Sequence, residues 1–575
     1  KKKMNVITII CLIILCVVQV QAIWPQPAEI NEQKLVSFNV INFTNFNIQV
    51  REWSENKGDI QKAIDRLVKY GIESLNLKPY QQVQNAVPID LKQCDRGQCI
   101  DALFIQKTCK NDKSPGQLDY EKRIAERTAA LEKVNITRVP LLVQNEAYHI
   151  WLEPSKTNSF SIHLCAPESV GILNGIETLI QSFDYAYAKD DTIQLVASTE
   201  VIIDYPLYPW RGFMIDSARH FLPRDTILEV IDTMHMIKLN VLHWHLTDAQ
   251  SFPFLSNSVQ ELSLYGSYDP QFAIYSPDDI QIITKYAKER HIVVLPEFDV
   301  PGHAASWGKA NKNIVAHCPK YEHNINNIPL NPANEETFKV LDGLFSDIAS
   351  AFDFPRIHIG GDEVVMSCWA EDPSIQQFMK DHQYNLNDLR VYFQQRLEKI
   401  YRKYNVQVNG WQELLLNTKY HVPSDTIIQN WETVKDFADI IAAGYFGVNS
   451  GGWYLEKQSL DGSTHHAWQD TWIDAYNLDI AANVPESQKV RILGGEGAMW
   501  GETVSSADII SFTFPRLAPV AERLWSPDWQ TTSATEAEPR LADLSCRLRF
   551  YDVYSGPIRP DFCIMDVFLH KHLTL

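Results

Sequence analysis

The chain has 575 residues, 45% of them hydrophobic, and a formal net charge of −19 at pH 7. This length and apolar content predict a folded protein with more than one domain and exclude a largely disordered chain. The acidic balance argues against nucleic acid or an anionic membrane as the binding partner.

The first 22 residues have the pattern of a secretory signal peptide. Lys1–Lys3 precede an apolar run from Val6 to Val18, and Val20-Gln-Ala22 offers small residues for cleavage. A membrane anchor is the less favoured alternative, because a spanning helix needs roughly 20 apolar residues. We therefore expect an exported protein, lysosomal or extracellular, with no membrane span in the mature chain.

Eight cysteines follow the signal peptide, an even number that predicts disulfides in an exported chain. Proximity favours the pairs Cys94–Cys99, Cys109–Cys165, Cys318–Cys368 and Cys546–Cys563, although spacing leaves the connectivity open. Zinc is disfavoured, since the spacings lack paired Cys-x-x-Cys motifs. Asn42 and Asn135 begin Asn-x-Thr sequences and are the expected N-glycosylation sites.

Residues 23–204 are predicted to form a smaller α+β domain. Apolar and polar residues alternate in Tyr148–Leu152 and Phe160–Leu164, as in strands. No cluster of catalytic residue types occurs in this part of the chain. The proline-rich segment Tyr205–Pro209 marks the predicted boundary, after which the second domain runs to the last residue, 575.

From Trp210 onward, eight strand-like runs alternate with helical patterns, which is the order of a (β/α)8 barrel. The runs begin near Gly212, Val241, Ile292, Ile357, Val406, Ile427, Phe446 and Ile492. A helix over residues 508–524 is expected to close the barrel, and a C-terminal extension to pack outside it. Polar and aromatic residues follow successive strands, at the rim where this fold builds active sites.

The most informative run is Arg356-Ile-His-Ile-Gly-Gly-Asp-Glu-Val364. A short buried strand ends at two glycines, so Asp362 and Glu363 are expected at the mouth of the barrel. Carboxylates there, together with tryptophans that can stack on sugar rings, favour a glycoside hydrolase. Neighbouring side chains diverge on extended backbone, so either Asp248 or Glu502 supplies a second carboxylate or the substrate supplies its own nucleophile.

Two other classes of function remain open on the residues alone. His243-x-His245 places two imidazoles on one face of a strand and is compatible with a zinc-dependent hydrolase. Later strands end in tryptophans instead of further ligands, so we expect no metal and no cofactor. The second alternative is a catalytically inactive barrel that binds carbohydrate.

Seven motifs then occur in a fixed order: Trp210-Arg-Gly, His243-Trp-His-Leu-Thr-Asp248, Pro301-Gly-His303, His358-Ile-Gly-Gly-Asp-Glu-Val364, Trp411-Gln-Glu413, Trp453-Tyr454 and Gly495-Glu-Gly-Ala-Met-Trp-Gly-Glu502. Together they resemble the β-N-acetylhexosaminidases of glycoside hydrolase family 20, including lysosomal animal enzymes. The resemblance implies removal of terminal, non-reducing β-linked N-acetylglucosamine or N-acetylgalactosamine from oligosaccharides or glycoconjugates, with retention of configuration. It implies that the sugar's 2-acetamido oxygen is the nucleophile and that the enzyme is a homodimer.

The resemblance also implies roles for individual residues. Glu363 would be the general acid and then the general base, Asp362 would orient the acetamido N–H, and the Tyr454 hydroxyl would hold the acetamido oxygen. The walls of the acetamido pocket would be Trp411, Trp431 and Trp500. The sugar hydroxyls would be bound by Arg211 and Glu502. The pKa of Glu363 would be kept high by Asp248 and His303.

One position departs from the family pattern. Glu456-Lys457 stands where related animal subunits carry Asn-Arg or Asp-Leu, and the cationic form is associated with acidic substrates. An ammonium at the rim can offset a substrate anion, so Lys457 predicts partial acceptance of charged substrates.

Overall fold

The computed structural model describes residues 23–31, 39–41, 47–51, 56–71, 99–107, 109, 113–136, 139–154, 160–187, 193–197, 201–416, 421–456, 472–531, 533–560 and 563. The signal-peptide prediction and the predictions for Asn42, Cys94 and Lys457 fall outside these residues.

The first part of the chain forms a nine-stranded mixed sheet in the order β1-β9-β5-β6-β4-β2-β8-β7, with β3 paired to β4. Its strands are β1 (Glu29–Asn31), β2 (Asn39–Ile41), β3 (Asn47–Arg51), β4 (Cys99–Gln106), β5 (Tyr148–Pro154), β6 (Phe160–Cys165), β7 (Phe183–Tyr187), β8 (Ile193–Ala197) and β9 (Val201–Asp204). Its helices are α1 (Lys57–Gly71), α2 (Pro115–Lys133) and α3 (Ser169–Ser182). Apolar residues of α1 and α3 pack on the sheet in one buried cluster.

Eight parallel strands then close into a barrel, which confirms the predicted (β/α)8 fold. They are β10 (Trp210–Asp216), β11 (Val241–Thr247), β12 (Val293–Phe298), β13 (Arg356–His358), β14 (Gln407–Trp411), β15 (Ile427–Asn430), β16 (Phe446–Asn449) and β17 (Ile492–Met499).

Helices surround the barrel or decorate its loops. They are α4 (Arg224–Met236), α5 (Glu261–Gly266), α6 (Pro277–Lys288), α7 (Ala305–Ala310), α8 (Glu335–Ala351), α9 (Met366–Glu371), α10 (Pro373–His382), α11 (Leu386–Lys403), α12 (Glu413–Leu416), α13 (Val434–Ala442), α14 (Trp472–Asn477), α15 (Ile509–Thr513), α16 (Leu517–Trp525) and α17 (Ala534–Phe550). The single helix expected over residues 508–524 is wrong, because Pro515 disfavours helical backbone at Phe514 and the chain forms two helices, α15 and α16, on either side.

Strand β11 shows how the two faces of the barrel wall differ. Leu242, Trp244 and Leu246 point outward and join the large apolar cluster beneath the helices. The alternating residues His243 and His245 point inward, because successive side chains of a strand lie on opposite faces. The barrel interior therefore contains ionisable groups as well as apolar side chains.

Three of the four predicted disulfides are present. Cys109–Cys165, Cys318–Cys368 and Cys546–Cys563 have Cα–Cα distances of 5.4, 5.2 and 5.5 Å. The second bridge joins the segment after β12 to helix α9 after β13, so it links the two loops that supply the residues at the centre of the rim. Asn135 is exposed just after α2, and its glycosylation stays a prediction.

Within the described ranges, no helix has the length and apolar content that crossing a membrane requires.

Candidate active site

The turn after β13 places the two neighbouring carboxylates. Gly360 and Gly361 have φ angles of 61° and 98°, which glycine adopts without steric cost. A Cβ on Gly360 would lie 1.9 Å from Asp299 Oδ1, so the close approach of these loops also requires glycine. The turn leaves the Asp362 side chain 12% exposed and the Glu363 side chain 60% exposed.

Glu363 contacts a histidine, which in turn contacts a second carboxylate. His303 Nε2 lies 3.4 Å from Glu363 Oε2, and His303 Nδ1 lies 3.3 Å from Asp248 Oδ1. Burial opposes charge on His303, but Asp248 and Glu363 raise its pKa well above the usual value. The contact with His303 in turn lowers the pKa of Glu363. The predicted contacts are therefore present, but the predicted direction is wrong, because in the unliganded protein a cationic His303 favours the Glu363 anion.

Asp362 lies 3.8 Å from His303 Nε2 and is also in contact with another acid. Burial and the adjacent Asp299 raise the pKa of Asp362 well above its usual range. Burial also raises the pKa of Asp299 to about 6, although His303 acts in the opposite direction. Asp299 Oδ1 accepts a 2.9 Å hydrogen bond from the Gly361 amide, which fixes it beneath the turn. Two acids in one buried site cannot both ionise easily, so the pair retains a proton at acidic pH.

Aromatic side chains from the later strands line the same mouth. Tyr454, almost completely buried, joins a small cluster with Trp431 and Trp500. The Trp500 ring lies 6.1 Å from that of Trp411 and 6.5 Å from that of Tyr454. Burial raises the pKa of Tyr454 well above its usual value, so its hydroxyl keeps its proton and can donate.

The sequence-based assignment of Arg211 is wrong. Arg211 lies at the beginning of β10, at the end of the barrel opposite the site, and is 1% exposed. Its guanidinium contacts Glu146 of the first domain at 3.0 and 2.7 Å, so it joins the two domains.

Arg219, just beyond the C-terminal end of β10, is the arginine at the rim. Its guanidinium lies 2.9 Å from Asp216, 2.9 Å from Asp248 and 3.8 Å from Glu502. It also lies over the Trp500 ring, 4.9 Å from the centroid. The Glu502 side chain is 54% exposed and faces solvent beside this cation.

Comparison with known proteins identifies the family. Residues 208–528, more than half of the chain, match the description "Glycosyl hydrolase family 20, catalytic domain". The chain belongs to glycosyl hydrolase family 20. It is therefore a glycoside hydrolase, and the matched residues contain the whole barrel.

The similarity to individual relatives extends beyond the barrel. Beta-hexosaminidase subunit A1 of Dictyostelium discoideum is 35% identical over 80% of this chain and 89% of its own length. Beta-hexosaminidase subunit alpha of Mus musculus is 36% identical over 70% of this chain and 75% of its own length. The solved chitobiase of Flavobacterium johnsoniae aligns with a TM-score of 0.70 and 26% identity, over 93% of this chain and 73% of its own.

Sequence reasoning missed two residues of this family 20 site besides Arg219. Asp299 follows the same strand end as His303, and that position was the available signal. Glu413 accepts hydrogen bonds from Trp431 Nε1 at 3.0 and 3.1 Å, and burial raises its pKa to about 7. It lies in the Trp411-Gln-Glu413 motif, where only the tryptophan was singled out.

Three side-chain clusters among the described residues have the spacing of metal ligands, and one of them, Cys109, His149 and Cys165, contains a disulfide. His243, Glu297 and His358 form the second, and Asp299, His303 and Asp362 form the third, with ligand atoms within 4.8 Å of one another. In the second cluster Glu297 already contacts His243, His245 and His358 and accepts a hydrogen bond from Trp411 Nε1. These contacts make it a hydrogen-bonded network of acids and imidazoles.

Proposed function

We propose that this enzyme removes terminal, non-reducing β-linked N-acetylglucosamine or N-acetylgalactosamine with retention, using the substrate's acetamido oxygen as the nucleophile. The observation that carries the proposal is the unequal placement of two adjacent acids. Glu363 reaches solvent at the rim, where a glycosidic oxygen can approach, whereas Asp362 faces inward beside Asp299 and the tryptophan-lined mouth. Relatives named beta-hexosaminidases support the same substrate class.

In the first step, the Glu363 carboxyl donates its proton to the glycosidic oxygen as the bond to the anomeric carbon breaks. The acetamido oxygen attacks the anomeric carbon and forms a cyclic oxazolinium. The Asp362 carboxylate accepts the acetamido N–H and stabilises the positive charge there, while Tyr454 donates its hydroxyl proton to the acetamido oxygen. In the second step, Glu363 removes a proton from water as the water oxygen bonds to the anomeric carbon. The bond between that carbon and the acetamido oxygen breaks, which restores the acetamido group and gives net retention.

Asp362 must be ionised for this role, and its contact with Asp299 provides the route. A substrate N–H directed at Asp362 favours its anion, so the proton held by the pair moves to Asp299. Asp299 then donates a hydrogen bond to the ionised Asp362.

Arg219 and Glu502 supply the contacts with sugar hydroxyls in place of the pair that the sequence suggested. The Arg219 guanidinium is fixed by Asp216 and Asp248 and lies against Trp500. A guanidinium held in this way can donate to ring hydroxyls without losing conformational freedom on binding.

We also propose a homodimer in the secretory pathway, lysosomal or extracellular. The support for assembly is that the Dictyostelium and mouse relatives are named subunits. The predicted signal peptide and the cysteine pairs support export. Acceptance of charged substrates through Lys457 stays a prediction.

The test compares wild type with Glu363→Gln on the 4-nitrophenyl β-glycosides of N-acetylglucosamine and N-acetylgalactosamine at acidic pH. We expect release of 4-nitrophenol by wild type and a loss of about a hundredfold or more in the variant. Correctly folded wild-type protein that binds N-acetylglucosamine but releases no 4-nitrophenol would instead indicate an inactive carbohydrate-binding barrel.

A further inference from the structure

The network around Glu363 continues far beyond His303 and Asp248. Asp248 Oδ2 lies 2.9 Å from His245 Nε2, and His245 Nδ1 lies 2.6 Å from Glu297 Oε2. Carboxylates and imidazoles therefore alternate from the rim into the barrel. We call Glu363, His303, Asp248, His245 and Glu297 the acid column.

Strand register builds the inner half of this column. His245 of β11 is paired directly with Glu297 of β12, and Glu297 with His358 of β13. All three side chains point into the barrel and are completely buried. Paired residues of adjacent parallel strands lie side by side, so the register fixes the His245 imidazole next to the Glu297 carboxylate.

The two contacts of His245 determine its charge state. A neutral imidazole can donate through only one nitrogen, whereas both nitrogens of His245 face carboxylate oxygens at hydrogen-bonding distance. His245 is therefore the imidazolium and donates to Glu297 and to Asp248. In agreement, Glu297 and Asp248 raise the pKa of His245 well above its usual value, although burial opposes this.

A buried row of charges is a poor way to stabilise a fold. Desolvation offsets most of the attraction within a buried ion pair, and apolar side chains of similar volume often stabilise as well or better. The acid column places such charges in the barrel interior, where Leu and Ile would suffice for packing. The acid column ends at Glu363, so a role in catalysis explains these buried charges better than a role in stability does.

We propose that His245 and Glu297 are positioning residues for the general acid, an inference that rests on the proposed role of Glu363. Glu297 fixes the His245 ring, and His245 occupies Asp248 Oδ2, which leaves Oδ1 facing His303 Nδ1. His303 is thereby oriented with Nε2 toward Glu363. The positive charge of His245 also balances Asp248, so it controls how strongly His303 holds its proton.

The test is the pH dependence of kcat/KM for His245→Gln. The glutamine amide can still donate to Asp248 but carries no charge. Removal of a cation from the column favours the protonated form of Glu363, so the alkaline limb of the profile moves upward by about one pH unit. The other ionisable groups near His245 include Asp216, Glu297, Asp248, Arg219 and His243, which contacts the same Glu297 oxygen, and all are retained in the variant.

His358→Gln is the matched control. His358 is equally buried and its Nδ1 lies 2.9 Å from the other oxygen of Glu297, but burial lowers its pKa, in contrast to the raised pKa of His245. We expect its alkaline limb to coincide with that of wild type. Equal shifts in both variants, or no shift in His245→Gln, would overturn the proposal.

If His245→Gln fails to fold, a second variant, Glu297→Gln, tests the same role. Glu297→Gln removes the carboxylate that orients the His245 ring, and a larger fall in kcat/KM than in His358→Gln is expected; equal values in these two variants would again reject the positioning role. Glu363→Gln, measured in parallel, distinguishes failure of the proposed general acid from failure of the positioning role of His245 and Glu297. If its kcat/KM equals that of wild type, the proposed acid itself is wrong, whatever the result for His245.

Discussion

His303 Nε2 lies 3.4 Å from Glu363 Oε2 while its other ring nitrogen contacts Asp248, so one imidazole joins the exposed acid to a buried carboxylate. This contact lowers the pKa of Glu363 in the unliganded protein. Because a general acid acts only when protonated, the enzyme is expected to work best at acidic pH. A bound substrate displaces solvent around Glu363, which raises the pKa of its carboxyl and favours the protonated form.

His303→Gln tests that relationship. Loss of the imidazolium removes the group that favours the Glu363 anion, so the pKa of Glu363 rises and the alkaline limb of kcat/KM moves to higher pH. The maximum falls by about a hundredfold because the acid is no longer positioned. The measurement is a pH–rate profile on the 4-nitrophenyl N-acetylglucosaminide. A limb shifted toward lower pH would contradict the assignment of the positive charge to His303.

The two arginines of the β10 region provide a second test, with one as control for the other. Arg219→Lys keeps a positive charge but loses the fork that joins Asp216 to Asp248, so kcat/KM is expected to fall by about tenfold or more. Arg211→Lys weakens the buried pair with Glu146 and is expected to lower Tm while leaving kcat/KM near that of wild type. Steady-state kinetics and thermal unfolding of both variants check this.

The opposite pattern would return Arg211 to the substrate site. If Arg211→Lys reduced kcat/KM with an unchanged Tm, and Arg219→Lys did neither, the positions of the two guanidinium groups could not explain their functions.

These arginines also show where sequence reasoning stopped. The strand ends were placed well, since turn glycines and carboxylates follow buried runs, and Asp362, Glu363, His303 and Asp248 accordingly meet at one rim. The sequence did not tell which end of β10 a nearby arginine occupies. Arg211 is the second residue of β10 and Arg219 follows its last residue by three positions, so the two arginines lie at opposite ends of the barrel.

The charge states of the site were equally out of reach. The amino-acid sequence gives the ionisable residues but neither their burial nor their partners, and burial and partners together determine the pKa of a group. The expectation that His303 keeps the pKa of Glu363 high failed for this reason. Asp299 was passed over because its importance comes from contact with Asp362, which lies on a different strand.

Asp299→Asn is expected to stabilise the protein at neutral pH. The pKa of Asp299 is about 6 in the folded protein, above the ordinary value of 3.8. A raised carboxyl pKa means that the folded state binds more protons than the unfolded state between these values, so this group makes stability fall as pH rises through them. An amide cannot ionise, and the free energy of unfolding should increase by about 2 kcal/mol at pH 7.

The gain should shrink to a small fraction of its pH 7 value near pH 4, because Asp299 is then protonated in the folded protein and about half protonated in the unfolded chain. Denaturant unfolding of wild type and Asp299→Asn at pH 4 and pH 7 measures the difference. A gain of equal size at both pH values would show that it comes from packing or hydrogen bonding and not from the ionisation of Asp299.

The most direct test of the central claim concerns the nucleophile. Substrates with zero, one, two and three fluorine atoms on the acetamido methyl differ in the basicity of the acetamido oxygen and little in size. If that oxygen attacks the anomeric carbon beside Asp362 and Glu363, log(kcat/KM) for the 4-nitrophenyl glycosides must fall steeply with each fluorine, over several orders of magnitude in total. Nearly equal values across the series would contradict substrate-assisted catalysis and require a carboxylate nucleophile from the protein.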